Sequence, residues 1–145
     1  MKRKMKYLKV AAFIVVAAAL LWLGVRYAPK MEEQPQFKIE DLVAGTGEEV
    51  RKEDYLLVHY VGTLDDGTKF DSDADHGQPL LFQFGVGQVI RGWDLGLAGM
   101  KVGGKRRLTI PSDLGYGPQG NGPIPPNATL HFDIELISIQ RRIQE

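Results

Sequence analysis

A chain of 145 residues, with 18 basic and 18 acidic side chains, leaves room for one domain of about 100 residues and little more. The neutral total conceals an asymmetry: residues 1–30 carry seven basic residues and no acid, so the remainder holds 11 basic against 18 acidic residues and lacks the basic footprint that nucleic-acid binding needs. The absence of cysteine excludes disulfides and thiolate metal sites, and the three histidines, His59, His76 and His131, show no metal-ligand spacing.

The first element is apolar. Val10 to Val25 is an uninterrupted run of 16 residues, apolar except for Gly24, bracketed by Lys9 and Arg26 with Tyr7, Trp22 and Tyr27 near its ends. Residues 7–28 reach the roughly 20 residues of a membrane span if Lys9 and Arg26 extend their charges to the interface. Five positive charges precede the run and two follow it, which keeps the N-terminus cytoplasmic and puts the rest of the chain across the membrane. Residues 1–28 therefore read as an uncleaved anchor, expected in a bacterial inner membrane with the domain on its periplasmic face. The alternative is a cleaved secretory signal, although cleavage after Ala28 would place Arg26 where a small residue is expected. Either way the domain is exported. Residues 29–36 form a polar linker without periodicity, at most about 28 Å long when extended. This leaves 37–143 for the folded domain.

Leu56, Val58 and Tyr60 alternate with Leu57, His59 and Val61 ahead of Gly62, which predicts a strand over 55–62. The turn signal Asp65-Asp66-Gly67 makes 68–71 its hairpin partner. Asp71-Ser72-Asp73 reads by itself as an ordinary turn as readily as part of a site. Leu80 to Phe84 predicts a further short strand. From Gln88 to Gly99, Val89, Trp93 and Leu97 recur four residues apart with Ile90 beside them, giving a short helix with one apolar face. Gly92 and Gly96 each weaken that helix by roughly 1 kcal/mol relative to alanine, so packing must hold it, with Trp93 its largest apolar surface.

Arg106, Leu108 and Ile110 alternate with Lys105, Arg107 and Thr109 up to Pro111; Arg106 breaks the apolar face and is expected at the strand's mouth. Gly115 to Pro126 contains four glycines and four prolines among 12 residues, the composition of a shaped lid. Ala128 to Leu136 alternates strictly, a strand with one buried face. One helix against several antiparallel strands is an α+β domain. On pattern alone Val89, Trp93 and Phe132 are core residues and Tyr60 a buried phenol.

The blocks Val58-His59-Tyr60-Val61-Gly62, Gly67-Thr68-Lys69-Phe70-Asp71-Ser72, Gln88 to Gly99, Gly115-Tyr116-Gly117, Ile124 to Leu130 and Phe132 to Leu136 resemble, in order and spacing, the FK506-binding-protein (FKBP) family of peptidyl-prolyl cis-trans isomerases over roughly residues 36–139. The resemblance implies a twisted antiparallel half-barrel sheet wrapped around the helix. It implies an enzyme that speeds Xaa-Pro isomerisation during folding of exported proteins, with proline-containing polypeptides as clients, FK506- or rapamycin-like macrocycles as inhibitors, and no cofactor or metal. It makes Trp93 the floor of a proline pocket, with Tyr60, Phe70, Val89, Ile90 and Phe132 as walls. Leu80, Phe82 and the Gln88 backbone carbonyl add substrate contacts. The Tyr116 hydroxyl and the Ile90 amide would donate to carbonyls at opposite ends, Asp71 would sit at the rim as an acceptor that orders its neighbours, and Ile124 would cap the pocket. Departures from the family pattern are Leu80 for a common aromatic residue, His76 for a common arginine, Gln88 for a common glutamate, and a lid about one residue shorter. They are expected to alter preference for the residue before proline and drug affinity more than turnover, and His76 is expected to be a solvated loop side chain.

Overall fold

The computed structural model describes residues 33–141. The expected anchor at 1–28 and the first part of the linker lie outside the described residues; residues 33–37 run without regular structure into the first strand. Among the described residues no helix is long and apolar enough to cross a membrane.

Six strands and two short α-helices follow, with two single 3-10 turns (Ser112–Leu114 and Gly117–Gln119) between the last two strands: β1 (Lys38–Val43), β2 (Tyr55–Thr63), β3 (Lys69–Ser72), α1 (Asp73–His76), β4 (Leu80–Gln83), α2 (Arg91–Gly96), β5 (Lys105–Ile110) and β6 (Leu130–Gln140). They build one antiparallel sheet in the order β1-β5-β6-β2-β3, with β4 also paired to β2. The predicted alternations settle which face is inward. Leu56 and Val58 on β2, Leu108 and Ile110 on β5, and Leu130 and Ile134 on β6 are fully buried, and together they form the inner face against which α2 packs. Strand β1 escaped the pattern reading because all six of its residues are exposed and show no burial period; pairing to β5 holds it at the sheet edge. Helix α1 starts at the last residue of Asp71-Ser72-Asp73, a segment that by itself reads as readily as an ordinary turn. Its signal lay in Ser72-Asp73-Ala74-Asp75, where the Ser72 hydroxyl caps the helix by accepting the Asp75 amide at 3.2 Å and donates to the Asp75 carboxylate at 2.8 Å.

Two expectations about α2 change. The helix spans only Arg91–Gly96, so Val89 precedes it and Ile90 occupies the N-cap position, its carbonyl accepting the Trp93 amide at 2.9 Å. Arg106 is not at a strand mouth. It is 7% exposed, and its guanidinium donates to the carbonyls of Gly96 and Ala98 at 2.8 and 2.9 Å while its Nε donates to Asp41 at 2.6 Å. The charge thus neutralises the carbonyl-bearing C-terminal end of α2 and ties it to β1.

The two helical glycines now have a reason. A Cβ on Gly92 would lie 2.5 Å from Ile110 Cγ2, and one on Gly96 would lie 2.7 Å from Leu108 Cδ1. Helix propensity favours alanine by about 1 kcal/mol; close packing against the stiff, fully buried Ile110 opposes it by about 1–3 kcal/mol. Gly92→Ala is therefore expected to lower stability in urea unfolding despite its better propensity. A raised midpoint would show that β5 yields to the methyl group.

Candidate active site

A concave pocket of about 390 Å³ opens at one end of the inner face, a size suited to a small molecule or a few residues of peptide. Trp93, 3% exposed, is its floor. The indole is wedged among three rings, with centroids 5.4 Å from Tyr60, 5.2 Å from Phe132 and 5.5 Å from Phe82; the first two are edge-on, the arrangement aromatic quadrupoles prefer. Its Nε1 is the one buried side-chain polar atom without a hydrogen-bond partner among the described residues, so the floor is packed by apolar contact rather than by a polar network.

Phe70 and Asp71 pose a geometrical problem, since neighbours in a strand face opposite sides. Both nevertheless line the pocket. The register resolves it: Gly62 pairs with Asp71 and Thr63 with Lys69, so Phe70 is the extra residue of a bulge that re-aims its side chain. Opposite the bulge, Gly62 leaves the space the rings need, because a Cβ there would lie 2.6 Å from Phe70 Cζ and 2.8 Å from Phe132 Cε1. The Phe70 and Phe132 rings meet edge-on at 5.5 Å.

The polar side of the pocket is ordered. The Tyr60 hydroxyl donates to Asp71 Oδ2 at 2.8 Å. Burial, and after it the Asp71 carboxylate, pushes the Tyr60 phenol far above the usual tyrosine range, so it stays a protonated donor at any physiological pH. Asp71 Oδ1 accepts the Ser72 amide at 2.9 Å and His76 Nε2 at 2.8 Å. His76 is solvent-exposed as expected, but it ends helix α1 instead of lying in a loop, and it engages the pocket carboxylate as well. Across the pocket, Gln88, Val89 and Ile90 line the wall from the segment before α2. As the N-cap, Ile90 keeps its amide outside the helix's own bonding ladder. Leu80 completes the wall, and Tyr116, 37% exposed, stands at the lip.

Two expected contact residues lie elsewhere. Phe82, 5% exposed, shares a strand face with Leu80 but sits deeper, backing Trp93 from beneath. Ile124, 6% exposed, belongs to the core instead of capping the pocket. A tight hairpin between Asn121 and Ile124, closed by two backbone hydrogen bonds of 2.9 and 3.0 Å, turns the lid inward there. Among the described residues no group of three or more histidine, aspartate or glutamate side chains is placed to hold a metal ion.

Comparison with known proteins is decisive on family. The family described as FKBP-type peptidyl-prolyl cis-trans isomerase matches residues 46–137. An FK506-binding protein of Neisseria meningitidis serogroup A is 58% identical over 102 residues, covering 70% of this chain and 94% of the relative. The chain belongs to the FKBP-type peptidyl-prolyl cis-trans isomerases. The human peptidyl-prolyl cis-trans isomerase FKBP2 is 56% identical over 95 residues, covering 65% of this chain and 67% of the relative. The crystal structure of AtFKBP13 superposes with a TM-score of 0.68 at 44% identity, covering 70% of this chain and 91% of that one.

In this FKBP, two supports of the pocket escaped the sequence reading. Asp94 on α2 accepts the amides of Gly85 and Gly87 at 2.8 and 3.0 Å, fixing the turn that carries the Gln88 wall. Asp73 accepts the Tyr60 amide at 2.9 Å and His59 Nδ1 at 2.6 Å. Burial alone would raise its carboxyl, but these hydrogen bonds outweigh burial and hold it below the usual carboxylate range. Neither contact has a sequence signature, since each joins residues through the fold.

Proposed function

We propose that this FKBP isomerises Xaa-Pro bonds by holding the twisted amide in the pocket over Trp93, and that it acts on exported polypeptides from an N-terminal membrane anchor. The observation that carries the first part is an aromatic floor and walls beside a hydrogen-bonded Tyr60–Asp71 pair. Resonance in the planar amide sets a barrier near 18–20 kcal/mol, and rotation breaks no covalent bond. Catalysis therefore needs only tighter binding of the twisted form. That form has a less polar carbonyl, so an apolar, water-poor pocket disfavours the planar amide more than the twisted one. A thousandfold acceleration corresponds to about 4 kcal/mol. Val89, Ile90, Phe70 and Phe132 supply the apolar walls. The Ile90 amide and Tyr116 hydroxyl are available to flanking carbonyls, and Asp71 orders Tyr60 and accepts from the substrate without acting as a base, since no proton moves. FK506-like macrocycles are expected to compete for this pocket.

NMR exchange on a short Xaa-Pro peptide tests the site. The full-length wild type is expected to accelerate exchange, and folded Tyr60→Phe and Asp71→Ala variants to lose about tenfold in kcat/KM, equivalent to about 1.4 kcal/mol of transition-state binding. A well-folded wild type inactive on every such peptide would make this a binding pocket only. The anchor rests on the apolar run from Val10 to Val25 and its flanking charges. It predicts an intact N-terminus in carbonate-washed membranes, whereas a mature chain beginning near Met31 would establish cleavage.

A further inference from the structure

Both ends of Tyr60 are gripped from one short segment. Its hydroxyl donates to Asp71 at 2.8 Å and its amide donates to Asp73 at 2.9 Å. Each of these aspartates in turn carries a histidine, His76 on Asp71 at 2.8 Å and His59 on Asp73 at 2.6 Å. An ionised carboxylate only accepts, so the imidazole nitrogen is the donor in both pairs, whether the ring is neutral or charged. Protonation keeps each bond and adds charge attraction to it.

The two pairs differ in what they touch. His59 on β2 bonds an aspartate that is nearly enclosed and lies behind the pocket wall. His76, at the C-terminal end of α1 where Gly77 turns the chain with φ 77°, reaches the carboxylate that lines the pocket itself. We propose that His76 is a positioning residue for Asp71 whose protonation tightens the Tyr60–Asp71 side of the pocket, making this FKBP more active under mildly acidic conditions than under alkaline ones; the inference rests on the reading of this pocket as the catalytic one.

The charged and titratable groups around His76 are compatible with that role. On its own helix, Asp75 is occupied by the Lys69 ammonium at 2.9 Å and the Ser72 hydroxyl at 2.8 Å. On β3, Asp71 is the acceptor and Lys69 is the neighbouring cation. On β2, Tyr60 stays neutral throughout the range, and His59 is committed to Asp73. At the lip, Tyr116 is a further phenol. Histidine is the side chain whose charge pH can change under physiological conditions, and the His76 Nε2 sits 2.8 Å from the pocket carboxylate, so the charge on that donor is the variable the pH profile reads. The His76 side chain is 63% exposed, so solvent screens the attraction and the effect is modest.

The experiment follows kcat/KM of the full chain on an Xaa-Pro peptide from about pH 5.5 to 8, beside the Ser72 amide shift, which reports on the same Asp71 oxygen that His76 contacts. The wild type is expected to be about threefold more active at the acid end, the scale of an exposed ion pair. His76→Arg keeps a permanent positive donor and should stay flat at the acid level, while His76→Gln keeps a neutral donor and should stay flat at the alkaline level. The Ser72 amide should titrate with the activity in the wild type and lose most of that amplitude in His76→Gln, with His59→Gln leaving it in place. A flat wild-type profile, or an amide titration that survives His76→Gln, overturns the inference without touching the isomerase assignment. If instead activity is indifferent to Tyr60 and Asp71 substitution, the reading of the pocket fails, and the Ser72 amide still decides whether His76 governs Asp71.

Discussion

Phe132→Ala is expected to reduce isomerisation at least about tenfold and to lower stability by about 3–5 kcal/mol, a loss of activity and of folding together. The ring stands between the pocket and the core. It meets Trp93 at 5.2 Å, Phe70 at 5.5 Å and Tyr60 at 6.4 Å, so its removal frees the floor and two walls together. The cavity opens beneath Gly62, which has no side chain to fill it. A domain of this size is stable by about 5–15 kcal/mol, so the variant remains folded at 25 °C when the wild type lies above the bottom of that range, which its own urea curve establishes. Phe132→Leu provides the control, because it keeps most of the volume while discarding the edge-on contacts. Urea unfolding paired with NMR exchange separates the two losses. A folded alanine variant with wild-type kcat/KM would reduce Phe132 to a core residue.

Loss of the Arg106 guanidinium should be felt far from the pocket. Arg106→Leu is expected to destabilise the fold by about 2–3 kcal/mol, through orphaned carbonyls at the end of α2 and an unpaired Asp41. Asp41 is 54% exposed, which lets water recover part of that anion's solvation and keeps the figure below that of a fully buried pair. Helix α2 has only six residues and no side-chain cap at its N-terminus, so the interactions at its C-terminal end carry an unusual share of its stability. A cycle with Asp41→Asn should show coupling between the two sites by urea unfolding. Additive effects in that cycle would leave the carbonyl bonds to Gly96 and Ala98 as the whole contribution.

The strands with buried faces were legible because alternation is local. Each inward residue of β2, β5 and β6 is announced by its own neighbours two positions away, and the resulting faces agree with the structure. The hairpin from β2 to β3 was legible for the same reason, through Asp65-Asp66-Gly67. Arg106 shows where local reading stops. A charge on an apolar face is expected to seek water, yet this one is buried because carbonyls ten and eight residues back in the chain, and a carboxylate 65 residues back, converge on it.

The wall residues of the pocket could be named from the order of their motifs, but not the manner in which they meet. Phe82 shares the predicted strand Leu80 to Phe84 with Leu80, and Ile124 opens the motif Ile124 to Leu130, yet both pack into the core, since depth along a strand face and the inward turn of a lid are set by the rest of the fold. The chain's residues alone carried the charge asymmetry, the strand faces, the turn signals and the ordered motifs of an FKBP, all of them properties of neighbours along one chain. The bulge that brings Phe70 beside Asp71, the clearance above Gly62 and the histidine on each of the two Tyr60 aspartates were decided by tertiary structure, because each depends on distances between separate segments that no single segment encodes.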